Sequence, residues 1–185
     1  MTDHTALVAL LTERSVKKGQ FTLASGKQSE YYIDARLTTM SPEGLSLIGP
    51  LALSALRQSG WKPDAVGGLT LGADPISYAI GYASAASEFP LRTFTVRKEA
   101  KTHGTGKLIE GPFRTGDRVV IIEDVITTGG SALRAIEAVK AASGTVVGVL
   151  ALVDREEGGR EAIESTGTDV LRLVTATELV RALSD

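Results

Sequence analysis

The chain has 185 residues, which is close to the usual size of one domain and enough to bury a sizeable core. Its 20 Lys and Arg residues nearly balance its 22 Asp and Glu residues, so the net charge of -2 predicts no nucleic-acid partner and no attraction to a membrane surface. Because there is no cysteine, and no apolar run approaches the ~20 residues of a membrane span, disulfides, thiolate metal sites and membrane-spanning helices are not expected.

Residues 1–40 are predicted to form an N-terminal helix and a small hood beside the main sheet. The start, MTDHTALVAL, lacks the basic region and long apolar core of a signal peptide, so a cytoplasmic location is expected. Hydrophobic periodicity indicates an amphipathic helix near residues 5–14. The following residues 20–36 carry FTL and YYID, which are typical of strands.

From residue 41 onwards, helices alternate with apolar strands. Ser41 is a plausible N-cap with Pro42 at the first helical position, and Gly60 should end that helix. The alternation predicts an α/β fold in which a mainly parallel central sheet is flanked by helices, within a single domain of residues 1–185. Strands are predicted at 65–71, 91–97, 118–122, 145–153 and 170–174, and helices at 75–86, 131–143 and 176–183.

A basic segment, RKEAKTHGTG at 97–106, follows the second of these strands and should be an exposed, mobile loop. Its positive charge suits a pyrophosphate leaving group, which needs cations as its bond to carbon breaks. The alternative is a solvated loop in which Glu99 offsets part of the charge. The cations concerned are Arg97, Lys98, Lys101 and His103.

The segment EDVITTGGS at 123–131 follows the apolar run RVVII and leads into a helical pattern. Glu123 and Asp124 can only accept hydrogen bonds when ionised, which suits the vicinal hydroxyls of a ribose. Residues 127–131 can offer backbone N–H groups and hydroxyls at a helix start, where a phosphate fits. The order of two acids followed by an anion-binding loop therefore predicts a ribose 5-phosphate site. The alternative is an ordinary strand, acidic turn and capped helix; neither a Walker sequence nor G-x-G-x-x-G is present.

VVIIEDVITTGGS at 119–131 resembles the thirteen-residue signature of the phosphoribosyltransferases. The resemblance narrows to the orotate phosphoribosyltransferase family at three further places. These are RKEAKTHG, the segment from Phe21 to Tyr32, and the pair Asp154-Arg155. The resemblance implies a type I phosphoribosyltransferase fold. It also implies a pentosyltransferase that uses Mg²⁺ and moves 5-phosphoribosyl from phosphoribosyl pyrophosphate to orotate. The products are orotidine 5′-monophosphate and pyrophosphate, in pyrimidine (UMP) biosynthesis. A homodimer that shares the 97–106 loop across its interface is implied as well.

The resemblance also implies residue roles. Lys101, His103 and Asp124 would be catalytic, and either Lys101 or His103 could donate a proton. Thr127 and Arg155 would bind orotate, because a guanidinium matches its carboxylate. Mg²⁺ would be held mainly by substrate and water, with no direct protein ligand. The residues implied to bind phosphoribosyl pyrophosphate are Arg97, Lys98, Lys101, His103, Glu123, Asp124, Val125, Ile126, Thr127, Thr128, Gly129, Gly130 and Ser131.

Some assignments have alternatives. Arg155 could instead form a surface ion pair with Glu156 or Glu157. Tyr32 could flank the base or pack within the hood.

Two positions depart from the pattern of bacterial relatives. Ala24 and Gly72 stand where many of them carry lysine, and Lys27 could supply part of the missing charge.

Two other functions remain open. The ribose phosphate segment does not define the acceptor, so a phosphoribosyltransferase for another base is the first alternative. The second is a sensor of phosphoribosyl pyrophosphate that regulates transcription, although no DNA-binding element is evident.

Overall fold

A computed structural model describes residues 3–22, 26, 28–99 and 107–184. None of the helices in these ranges is both long and apolar enough to cross a membrane. The helices are α1 Asp3–Ser15, α2 Arg36–Thr39, α3 Pro42–Ser59, α4 Ala73–Ser84, α5 Gly130–Ala141, α6 Gly159–Glu164 and α7 Ala176–Ala182. The strands are β1 Val16–Thr22, β2 Gln28–Ile33, β3 Ala65–Leu69, β4 Arg92–Val96, β5 Ile109–Glu110, β6 Arg118–Ile126, β7 Thr145–Asp154 and β8 Val170–Thr175.

The main sheet has the strand order β5-β4-β3-β6-β7-β8. All neighbouring strands pair in parallel except the short edge strand β5, which runs antiparallel to β4. Strand β6 therefore lies between β3 and β7, and the carboxyl ends of the three strands meet at one edge. The predicted fold class, a mainly parallel sheet between helices, is confirmed.

Both faces of this sheet are buried, as the continuous apolar character of the strands predicts. Along β6, Val120 and Ile122 point into one core cluster, which also contains Leu11 of α1. Val119 and Ile121 point into the cluster on the opposite face, beneath α5. The N-terminal helix thus shares its core with the main sheet.

The hood is the two-stranded antiparallel sheet β1-β2, which is separate from the main sheet. It is followed by α2, which the sequence did not predict. This short helix begins where the Asp34 carboxylate accepts the backbone N–H of Arg36 at 3.2 Å, a local interaction that hydrophobic periodicity does not reveal. β5 and α6 were also not predicted, being only 2 and 6 residues long.

The predicted capping of α3 is confirmed. The Ser41 hydroxyl accepts the N–H of Gly44 at 3.1 Å, Pro42 occupies the first turn, and the helix ends before Gly60. Strand β6 was predicted too short, because it continues to Ile126 and thus includes the two acids. This extension places the acids on a hydrogen-bonded strand instead of a free loop.

A partly buried ion pair connects β4 to the segment that leads into β6. Two nitrogens of Arg92 donate to the two carboxylate oxygens of Asp117 at 2.8 and 2.7 Å, and the N–H of Arg114 donates to Asp117 at 2.8 Å. Burial raises the pKa of Asp117, but these hydrogen bonds and the Arg92 charge outweigh it, so the pKa is lowered overall. The pair helps to align the strands that end at the cleft.

We expect Asp117→Asn to lower the free energy of unfolding at neutral pH by about 1–3 kcal/mol, because Arg92 would lose its charged partner. Since the folded-state pKa of Asp117 is lowered, its stabilisation is present above the ordinary Asp pKa and is lost as pH falls through the folded value. Denaturant unfolding at several pH values should therefore show the two proteins converging in acid. Glu43→Gln, which breaks the exposed pair with Arg14, should have little effect. A pH-independent difference for Asp117→Asn would contradict this account.

Candidate active site

A cleft of about 510 Å³ opens at the edge where β3, β6 and β7 end. This size suits a small-molecule ligand. The end of β2 covers it, so hood and sheet both contribute walls. The residues that line the cleft are Thr22, Tyr32, Ile33, Asp34, Ala35, Arg36, Leu69, Thr70, Leu71, Gly72, Lys98, Glu123, Asp124, Val125, Thr127, Ser131 and Arg155.

The two adjacent acids lie at the centre of this edge, near the end of β6. Glu123 is only 7% exposed, whereas Asp124 is partly exposed and its carboxylate accepts the N–H of Val125 at 2.9 Å. Burial, followed by the charge of Asp124 and a hydrogen bond with it, raises the pKa of Glu123 well above its usual value. Hydroxyl donors would favour the ionised form of Glu123, because they would replace part of its lost hydration.

Gly72, which follows β3, packs directly against the Asp124 carboxylate. A Cβ on Gly72 would lie 2.4 Å from Asp124 Oδ2, well inside van der Waals contact. A side chain at this position would therefore require the Asp124 carboxylate to rotate aside. Glycine lets this carboxylate approach the turn after β3.

The loop between β6 and α5 has the form expected of an anion site. Thr127 and Ser131 line the cleft, and α5 begins at Gly130. Gly129 has φ +80°, and a Cβ there would lie 2.7 Å from the Gly159 carbonyl oxygen. Both the backbone conformation and the lack of space therefore favour glycine. The first N–H groups of the helix and its dipole favour a phosphate at this loop.

Arg155 follows β7 and lies at the far end of the cleft. Its Nη2 is 2.8 Å from Glu157 and donates to Ser29 at 3.3 Å, and its guanidinium lies 4.7 Å from the centre of the Tyr31 ring. The ion pair with Glu157 exists, but Arg155 is only 5% exposed, so it is not a surface pair. Its Nε is buried without a hydrogen-bond partner among the described residues.

The other predicted residues lie in different places. Lys98 and Val125 line the cleft, whereas Arg97 does not and lies 3.5 Å from Glu110. Tyr32 both lines the cleft and packs against Phe21, with ring centres 5.6 Å apart. Ile126 is buried in the core, whereas Thr128 and Gly130 are exposed. Lys101, His103, Ala24 and Lys27 lie outside the described residues.

Two charged residues that line the cleft were missed by the sequence analysis. Asp34 and Arg36 line the cleft beside the turn after β3, and Arg36 donates to Asp34 through Nε at 2.8 Å and Nη2 at 3.1 Å. The available signal was an acid and a base two residues apart at the end of the YYI strand. Near the same turn, Asp74 accepts the hydroxyls of Thr70 and Thr95 at 2.7 and 2.8 Å.

The described ranges contain no group of three or more His, Cys, Asp or Glu side chains arranged to hold a metal ion. The acidic side chains at the cleft offer oxygen atoms, which are the ligand atoms that Mg²⁺ prefers.

We expect Glu123→Gln to raise the free energy of unfolding at neutral pH by about 1–2 kcal/mol, because a buried charge is removed. The folded-state pKa of Glu123 is raised, so wild-type stability falls as pH rises from the ordinary Glu pKa through the folded value. Thermal unfolding across pH should show variant and wild type coinciding in acid and separating toward neutral pH. Glu13→Gln, an exposed acid of α1, is the control. A Glu123→Gln protein less stable than wild type at neutral pH would refute this expectation.

Comparison with known proteins agrees with this geometry. The family model of the phosphoribosyl transferase domain matches residues 39–172. Orotate phosphoribosyltransferase of Aquifex aeolicus is 46% identical over 183 residues, covering 97% of this chain and 99% of that protein. The crystal structure of orotate phosphoribosyltransferase of Mycobacterium tuberculosis in complex with 5-phospho-α-D-ribosyl 1-diphosphate has a TM-score of 0.81 and 40% identity, covering 97% of this chain and 99% of that chain. A phosphoribosyltransferase of Corynebacterium diphtheriae has a TM-score of 0.84 at 35% identity, covering 97% of this chain and 99% of that chain. The chain therefore belongs to the phosphoribosyltransferase family and, within it, to the orotate phosphoribosyltransferases.

Proposed function

We propose that this protein transfers the 5-phosphoribosyl group of phosphoribosyl pyrophosphate to orotate, forming orotidine 5′-monophosphate and pyrophosphate. The observation that carries the proposal is the order of groups along one sheet edge. Lys98 follows β4, the turn at Gly72 follows β3, the acids lie near the end of β6 with the 127–131 loop after them, and Arg155 follows β7. The reaction would belong to cytoplasmic pyrimidine (UMP) biosynthesis.

This order divides the cleft into subsites for the two substrates. The ribose lies in the middle, with its hydroxyls on Glu123 and Asp124 and its 5′-phosphate on the 127–131 loop. Arg155 at the β7 end receives the orotate carboxylate, helped by the Thr127 hydroxyl, which also lines the cleft. The pyrophosphate then occupies the β3 and β4 side. The relative from Mycobacterium tuberculosis, whose structure holds phosphoribosyl pyrophosphate, supports this choice of donor.

The burial of Arg155 favours a carboxylate ligand. Its guanidinium is oriented by the ion pair with Glu157 at 2.8 Å and by the Tyr31 ring, whose centre lies 4.7 Å away. A planar group with a fixed fork binds a carboxylate through two hydrogen bonds, which lysine cannot do. Uracil lacks this carboxylate, so the same group would select against it.

In the reaction, the bond between N1 of orotate and C1 of the ribose forms while the bond from C1 to the pyrophosphate oxygen breaks. The electron pair of the broken bond leaves with pyrophosphate, and N1 releases its proton. The transition state carries positive charge on the sugar, which the neighbouring Asp124 stabilises. Lys101 and His103 are proposed to stabilise the leaving oxygens, with the proton donor being either of the two.

Mg²⁺ fits the donor set of the cleft. Glu123 and Asp124 would hold it through the ribose hydroxyls and bound water, without direct ligation. When bound, it supplies positive charge beside the pyrophosphate oxygens.

A homodimer that shares the 97–106 loop is part of the proposal, and an apolar groove beside the cleft supports it. The groove is lined by Met40, Leu71, Tyr78 and Tyr82, which are 48%, 55%, 53% and 87% exposed. Leu71 lines both groove and cleft, so a second copy seated in the groove would lie next to the active site. Sedimentation that found only monomer at assay concentration would contradict the shared-loop arrangement.

The direct test mixes the protein with phosphoribosyl pyrophosphate, Mg²⁺ and orotate and follows the loss of orotate absorbance. Uracil, adenine and hypoxanthine are run in parallel. Turnover with orotate alone is expected. Turnover with another base would overturn the acceptor assignment, and tight binding of phosphoribosyl pyrophosphate without any turnover would favour a sensor.

We expect Arg155→Lys to lower kcat/KM for orotate by about 10- to 100-fold, the equivalent of one strong charged hydrogen bond. The KM for phosphoribosyl pyrophosphate should change little, because Arg155 lies at the other end of the cleft. Arg160→Lys is the matched control, since Arg160 pairs with Glu164 on the surface of α6. An Arg155→Lys enzyme as active as this control would remove Arg155 from the orotate site.

A further inference from the structure

We propose that Arg36 binds the pyrophosphate group of the donor substrate and that Asp34 positions it. This inference rests on the proposed function, because it names a further residue for the same reaction. Arg36 belongs to α2, outside both segments from which the sequence predicted pyrophosphate contacts.

The Arg36 guanidinium is held in a defined orientation. Nε and Nη2 donate to the two oxygens of Asp34 at 2.8 and 3.1 Å, and the backbone N–H of Arg36 donates to the same carboxylate at 3.2 Å. Asp34 and Arg36 are 22% and 48% exposed in their side chains, so the pair is open to the cleft that both residues line. A bidentate pair of this kind fixes the guanidinium plane and leaves its remaining N–H groups directed away from the carboxylate.

The location of Arg36 selects the pyrophosphate over the other anionic groups of the substrates. Arg36 and Leu71 line the main cleft together, and they also line the shallower groove beside it. Leu71 belongs to the turn after β3, which is the side of the cleft away from Arg155. The 5′-phosphate is accounted for by the 127–131 loop, and the orotate carboxylate by Arg155. The anion left for the β3 side is pyrophosphate.

The β3 side also needs a cation from elsewhere in the chain. Gly72 contributes no side chain there, and the Asp124 carboxylate packs against it, 2.4 Å from where a Cβ would lie. Asp34, Glu123 and Asp124 all line the cleft, and their carboxylates would repel a pyrophosphate. Among the described residues that line the cleft, the cations are Arg36, Lys98 and Arg155, and Arg155 lies at the opposite end.

The charges of the pair and its surroundings fit this role. The hydrogen bond from Arg36 lowers the pKa of Asp34, and the hydrogen bond to Asp34, then its charge, raises the pKa of Arg36. Asp124 across the cleft acts on Arg36 in the same direction. Arg36 therefore stays charged at all working pH values and offsets the Asp124 carboxylate where the pyrophosphate has to approach.

The test measures binding directly by titration calorimetry, so it does not depend on turnover. Wild type and Arg36→Gln are titrated with pyrophosphate and Mg²⁺, with ribose 5-phosphate, and with phosphoribosyl pyrophosphate and Mg²⁺. Arg36→Gln should weaken pyrophosphate and phosphoribosyl pyrophosphate by about 10- to 100-fold, the effect of losing a charged hydrogen bond. Ribose 5-phosphate, which lacks the pyrophosphate, should bind with a Kd within about twofold of wild type.

Two further variants sharpen the test. Arg14→Gln removes one charge from another exposed Arg pair, with Glu43, and should bind all three ligands as wild type does. Arg36→Lys keeps the positive charge but lacks the paired N–H donors of a guanidinium. Its pyrophosphate affinity should therefore lie between those of wild type and Arg36→Gln. It also serves as the measurement if the Gln variant does not fold.

The outcomes separate this inference from the proposed function. Unchanged pyrophosphate affinity in Arg36→Gln, or an equal loss for ribose 5-phosphate, would overturn the role of Arg36. A Lys variant that binds no more tightly than the Gln variant would do the same. Failure of the wild type to use orotate would instead refute the proposed reaction, and the pyrophosphate titrations would still decide the Arg36 assignment.

Discussion

The candidate active site depends on the parallel pairing of β6 with β3 on one side and with β7 on the other. Gly67 of β3 pairs with Ile121, and Asp154 at the end of β7 pairs with Ile126 at the end of β6. Because parallel strands end at the same edge, three segments distant in sequence meet there without any long loop being ordered. The subsites proposed for ribose, base and pyrophosphate follow the order of the strands.

The same arrangement places charge where the fold would otherwise exclude it. Glu123 continues a strand whose preceding four residues are completely buried, and its ionisation is therefore opposed by burial and by Asp124. The buried Nε of Arg155 likewise has no described partner. We expect both groups to lower the stability of the protein, because each is buried without full compensation by a partner. Apolar packing on both sheet faces provides the stability that tolerates them.

The parts of the fold that the sequence predicted are those with strong local patterns. The apolar run before Glu123 and the capping residues Ser41 and Gly60 define their elements without tertiary information. The position of Arg36 in the cleft was not predictable, because it depends on α2 lying beside the turn after β3. The burial of Arg155 beneath Tyr31 has the same origin, since it requires contact between segments more than a hundred residues apart. Local periodicity carries no information about such contacts.

The close contact between Gly72 and Asp124 has a consequence for how this sequence can change. A side chain added at position 72 would require the Asp124 carboxylate to rotate aside, so substitutions at the two positions should not have independent effects. A lysine at 72 would thus reorient an acid of the cleft as well as add a charge. A chain that keeps glycine here leaves Asp124 in place and needs its cation from another segment, as is proposed for Arg36.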